Sequence, residues 1–118
     1  MKEDDIMCAL TKENQAMAKK SDSDKNRMEL IPPYAIMALG TILTDGAKKY
    51  GDRNWENGME WSRAYGATQR HLNAWWSGQD KDTESGHSHL WHALCEIVFL
   101  VCYEKWYKNH DDRPKGKE

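Results

Sequence analysis

The chain lacks the signatures of several large function classes. It has no glycine-rich phosphate loop, no internal repeat and no stretch alternating apolar and polar with a period of two. Those absences argue against a P-loop fold, a repeat array and a sheet protein. Phenylalanine occurs once, against six tryptophans and five tyrosines. Such an aromatic set, rich in polar handles, suits a half-wet cleft or an interface. The three cysteines, Cys8, Cys95 and Cys102, form no C-x-x-C pair. Cys95 and Cys102 lie too far apart on one helical run to bridge, so all three read as free thiols of a reducing, cytoplasmic compartment. No signal-peptide pattern follows the charged Lys2–Asp5. The most apolar run, Ala93 to Tyr103, is broken by Glu96 and is too short to span a bilayer. The formal net charge of -2 gives no electrostatic reason for a nucleic-acid or anionic-membrane partner.

What is present is helical. A chain of 118 residues makes one domain, small enough that self-association is an easy way to bury more surface. Residues 1–24 are polar and read as a loosely ordered segment with a short helix over roughly 5–19. Pro32-Pro33 suits the start of a helix running to Tyr50, with Gly51 as its C-cap and Gly40 and Gly46 as weak points. Residues 51–59 are rich in turn formers. A second helix spans Glu60 to Ser77, with Trp61, Ala64, Thr68, Leu72 and Trp75 inward. A polar loop leads to a third helix from Gly86 to Asn109, which Ser85 or Ser88 can cap. Residues 110–118 read as a flexible tail. The expected fold is an all-α antiparallel bundle of three to four main helices, completed by oligomerisation, with residues 25–109 as its domain.

The third helix carries the chemistry. At about 100° per residue, Leu90, Leu94, Ile97 and Val101 share one narrow sector, read as the apolar seam. His89, His92 and Glu96 share a neighbouring sector. In an antiparallel hairpin whose turn centres near residue 81, His71 faces Trp91 and His92, and Glu84 lies close to both helix ends. Imidazole and carboxylate together suit a transition metal, whereas Mg would choose Glu84, Asp82 or Glu96. The plainer reading is a set of core histidines satisfied by hydrogen bonds. Lys48, Lys49 and Arg53 cluster at the end of the first helix. They are either complements to the helix dipole or an anion site, with Asn54 and Trp55 available for a ring or a sugar. These pieces fit attack on a phosphoanhydride. They equally allow a non-catalytic helical adaptor. A His/Asp-type phosphohydrolase ranks low, because the one His-Asp pair, His110-Asp111, is in the tail.

Three segments carry a resemblance. Gly46-Ala47-Lys48-Lys49-Tyr50-Gly51-Asp52-Arg53-Asn54-Trp55 is followed by Arg70-His71-Leu72, then by Asp82-x-Glu84-Ser85-Gly86-x-Ser88-His89-Leu90-x-His92-Ala93. In this order they resemble the phage-associated dATP/dGTP diphosphohydrolase domain, a family linked to the all-α MazG-like NTP pyrophosphohydrolases. The resemblance covers about residues 25–104. It implies metal-dependent hydrolysis of dATP or dGTP to monophosphate and pyrophosphate by a homo-oligomer, dimer or tetramer, with Mg or Mn or another transition metal as cofactor. It assigns Lys48, Lys49, Tyr50, Arg53, Asn54, Trp55 and Arg70 to substrate, and His71, Glu84 and His92 to catalysis. Glu84, His89, His92 and Glu96 would hold the metal. Two departures stand out: Glu29 replaces the family's aspartate and Glu96 its asparagine. The wider superfamily holds Mg through E-x-x-E and E-x-x-D pairs. Here His89-x-x-His92 takes the second pair's place, and the first has no counterpart between Trp61 and Ser77. Either the metal site is built on histidine, or these histidines bind substrate.

Overall fold

The computed structural model describes residues 17–115. The helix expected over 5–19 therefore lies almost wholly outside the described residues. The described residues up to Leu30 form a unit of their own, with a 3-10 turn at Met28–Leu30 and an exposed Arg27–Glu29 ion pair at 2.7 Å. The unit from Ile31 onward carries three α-helices and, among the described residues, no strand.

Helix α1 runs Pro33–Tyr50. Pro33 occupies its first turn, where the missing N–H costs nothing. Gly51 ends it at φ 96° and donates its N–H to the Ala47 carbonyl. Helix α2 runs Trp61–Trp76 and α3 His89–Trp106. Ser88 is the N-cap of α3, its side-chain oxygen accepting from the Leu90 N–H. Ser85 is used elsewhere. Helix α3 is the hub, packed most extensively on α2 and also on α1. No described helix is long and apolar enough to cross a membrane.

The core is small: Ala38 and Ile42 of α1, Trp61 and Ala64 of α2, and Ala93, Cys95 and Tyr103 of α3. Of the third helix's two sectors, the inward one is the sector of His89 and Tyr103. The expected seam turns out: Leu90, Ile97 and Val101 are exposed, Val101 by 64%. The reason is geometric. With helices on two sides only, α3 buries the sector facing α1 and α2, and that sector carries the histidines.

The chain between α1 and α2 is tied to the far end of α3. It holds a 3-10 turn, Asn54–Asn57. The Trp55 ring stacks on Phe99 at 4.6 Å and lies 6.0 Å from Trp106. The Tyr103 hydroxyl donates to the Trp55 carbonyl, and the Tyr107 hydroxyl to that of Glu56 at 2.7 Å. Gly58, at φ 92°, lets the backbone pass the Tyr107 ring, where a Cβ would lie 3.1 Å from a ring carbon. Residues 110–113, expected as the start of a flexible tail, make contacts back to α2. The Asp112 carboxylate accepts from the Ser62 N–H at 2.8 Å and from its hydroxyl. It caps a helix whose own N-cap residue, Glu60, makes no such bond. The Arg113 guanidinium lies 5.0 Å over the Trp61 ring.

Candidate active site

A cleft of about 1210 Å³ is lined by the second half of α1, the 51–59 loop, one face of α2, the 82–85 turn and α3 from His92 to Phe99. One part of its lining comes from the loop between α2 and α3. Lys81 and Ser88 pair as an isolated antiparallel bridge. The Asp82 N–H donates to the His87 carbonyl, the Gly86 N–H to the Asp82 carbonyl, and the His89 N–H to the Asp80 carbonyl. Gly86 supplies the positive φ, 75°, that the turn requires. The Asp82 carboxylate accepts from the Ser85 N–H at 2.9 Å. That bond comes first among the causes holding Asp82 below the usual carboxylate range. The turn thus presents an ionised Asp82 to the start of α3.

Against it stand three imidazoles. His71 Nδ1 lies 2.9 Å from His89 Nδ1, and the His71 ring stacks on His92 at 4.6 Å. His89 is buried, with 4% exposure, and its Nε2 lies 2.7 Å from Gln79 Oε1. His92 Nε2 lies 2.6 Å from the Ser85 hydroxyl. Burial, then the neighbouring imidazoles His92 and His89, lower the pKa of His71. Burial also lowers that of His92. Both are neutral at pH 7, and neutral nitrogens can ligate a metal or take a proton. Donor atoms of His71, Asp82 and His89 all lie within 4.8 Å of one another. The 2.9 Å between the two Nδ1 atoms is a hydrogen-bond distance, and two imidazoles with one carboxylate make a mixed nitrogen and oxygen donor set. The donor set therefore fits a divalent ion of the Mn, Co or Zn type.

The motif residues divide by place. Glu84 stands at the rim, its side chain 83% exposed and its carboxylate 3.6 Å from Lys49 Nζ. It is outside the donor cluster. Glu96 is half-buried in the cleft wall. Burial pushes its carboxyl up to about 7, against the pull of Arg70. Lys49, Tyr50, Arg53 and Asn54 line the cleft from the α1 side, and Arg70 from α2. Lys48 is exposed and outside the lining. Trp55 also lines it, with its ring stacked on Phe99. Cys95 reaches the lining, but burial raises its thiol to about 12, so it is no nucleophile.

Two cleft residues gave no signal in the sequence, and a third gave an incomplete one. Arg63 lies two turns before Arg70 on the same face of α2, and neither is in an ion pair among the described residues. Asp45 pairs with His87 at 2.9 Å and ties α1 to the α2–α3 loop. Asp82, legible only as an oxygen ligand for Mg, becomes the carboxylate of the histidine cluster. The hairpin register could have found it, since a turn centred near residue 81 puts that side chain beside both helix ends.

Among known families, the model of the dATP/dGTP diphosphohydrolase N-terminal domain matches residues 15–113. A protein of Salmonella phage PMBT28 named dATP/dGTP diphosphohydrolase is 31% identical over 94 residues. The match takes in 80% of this chain and 32% of the relative, so the chain spans about a third of that protein's length. No solved structure matches.

Proposed function

The chain belongs to the dATP/dGTP diphosphohydrolase N-terminal family, and from that premise we propose that the cleft hydrolyses a purine deoxynucleoside triphosphate to its monophosphate and pyrophosphate. The observation that carries the reading is the placing of the His71, Asp82 and His89 donors beside a cleft walled by Lys49, Arg53, Arg63 and Arg70. We take those three residues as the ligands of a divalent ion, with Asp82 in the place the motif reading gave to Glu84. Bound there, the ion supplies an activated water and charge neutralisation for the phosphates.

The chain's own residues do the rest. Among the described residues the two arginines of α2 make no salt bridge, so a triphosphate meets guanidinium groups that need not first break an ion pair. Lys49 and Arg53 are held 3.6 Å from Glu84 and Glu56, exposed pairings weak enough for a phosphate to replace. His92, neutral and stacked on His71, stands where it can take the proton of the attacking water. Attack at the α-phosphorus breaks the α–β anhydride bond, and the electron pair leaves on pyrophosphate. The exposed Leu90, Ile97 and Val101 support assembly with further copies of the chain.

The test is product analysis of the purified protein with Mn or Mg and each of the four dNTPs. Monophosphate plus pyrophosphate from dATP or dGTP is the expected result. His71→Ala should lower turnover by ~100-fold or more while the helical circular dichroism is kept. Orthophosphate as product overturns the reading in favour of His/Asp-type phosphohydrolase chemistry, and no turnover with any metal overturns it by returning the histidines to a structural role in a helical adaptor.

A further inference from the structure

The Gln79 side chain is held by a hydrogen bond to a buried histidine. The residue is exposed, at the end of α2, yet its carboxamide reaches the buried ring of His89. Its backbone is fixed independently, since its N–H donates to the Ala74 carbonyl at 3.0 Å and closes the end of α2. Gly78, at φ 101°, makes the turn that brings it back toward α3. An amide oxygen carries no proton. At 2.7 Å from Gln79 Oε1, His89 Nε2 must carry it, and a neutral His89 then has its lone pair on Nδ1. That lone pair points at the His71 nitrogen, 2.9 Å away, in the cluster completed by Asp82.

We propose that Gln79 is a positioning residue of the metal site: its Oε1 holds His89 as the Nε2–H tautomer and so keeps Nδ1 unprotonated and aimed at the space shared with His71 and Asp82. The inference rests on the metal reading given above and extends it to a residue that never meets the ion. Partners of this kind set the tautomer and orientation of a ligating imidazole and raise its basicity. Without Gln79, His89 Nε2 faces no fixed acceptor, and the ring divides between tautomers, one of which puts a proton where the ion must sit.

The experiment is Mn(II) titration by calorimetry of the wild-type chain, Gln79→Ala, Gln79→Glu and His71→Ala. It is joined to long-range 1H–15N spectra of the metal-free proteins, which report the His89 tautomer directly. The expected result is a wild-type site that His71→Ala abolishes, with Gln79→Ala weakening Mn(II) by ~10–100-fold. Gln79→Ala should also lose the Nε2–H signature of His89. Gln79→Glu, which keeps an acceptor at the same place, should restore both the signature and most of the affinity. Wild-type affinity and an unchanged tautomer in Gln79→Ala overturn the positioning role and leave the metal site standing. A wild-type chain whose Mn(II) binding is nil, or is indifferent to His71→Ala, overturns the metal reading itself and this inference with it.

Discussion

Glu96 shows how far a single side chain departs from its sequence description. In the sequence it is one member of an i, i+3, i+7 sector with His89 and His92 and serves as a metal ligand. In the fold it sits in the cleft wall with its carboxyl raised from 4.5 to about 7 by burial. The folded state therefore holds this proton more tightly than the unfolded state. The stability it contributes is full below about pH 4.5 and is lost as pH rises to about 7. His71 and His92 act oppositely, since their lowered pKa gives stability above 6.5 that is lost as pH falls. Comparing wild type with Glu96→Gln cancels the histidine part. The variant should gain on wild type by up to about 3 kcal/mol between pH 4.5 and 7 in denaturant melts. A difference that does not change with pH would sink the assignment. Arg53 gives a second residue-scale test. It adopts φ 55°, ψ 26°, a left-handed conformation costing a non-glycine residue ~1 kcal/mol. Arg53→Gly should therefore raise stability by about that much while raising KM for dATP several-fold. Arg53→Ala should raise KM without the gain. An unchanged KM in both would remove Arg53 from the anion site.

At the scale of elements, the helices and the inward face of α2 were legible, and the facing of α3 was not. The double proline, Gly51 and the polar loops bound α1, α2 and α3 within three residues of where the sequence puts them. The choice of inward sector on α3 was not available from periodicity. Two adjacent sectors are apolar enough to bury, and only the positions of α1 and α2 decide between them. The α1–α2 connection was read as turn-forming chain. It is instead clamped by Trp55 on Phe99 and by two tyrosine hydroxyls, contacts across nearly fifty residues of sequence. Helix α1 carries a testable weakness. A Cβ at Gly40 would meet nothing within 4 Å. Gly40→Ala should stabilise the chain by ~1 kcal/mol, read as a higher Tm. A lower Tm would mean that another backbone packs against that turn in solution.

The whole molecule leaves apolar surface unused. Leu90, Ile97 and Val101 form an outward stripe on α3, and Tyr34, Ile36 and Met37 are exposed on α1. A bundle of three helices from a short chain cannot cover all of its apolar faces. If copies of the chain cover this one, Val101→Asp should shift the particle to monomer in light scattering at micromolar protein. Ser77→Asp, on the exposed end of α2, should not. A wild-type protein that is monomeric at all concentrations would refute the assembly.

The sequence by itself determined the helical class, the element boundaries and the family, because these follow from local spacing, capping and two long motif blocks. It also determined which residue types could do chemistry. The tertiary structure decided which of them meet. It joined His71 and His89 to Asp82 in place of Glu84, sent Glu84 to Lys49 at the rim, and brought Arg63 to stand with Arg70. The physical reason is that a site is a set of distances between separate elements. Those distances depend on how α2 and α3 close over a twelve-residue connection whose hydrogen bonds run through its own backbone, where no periodicity reports them.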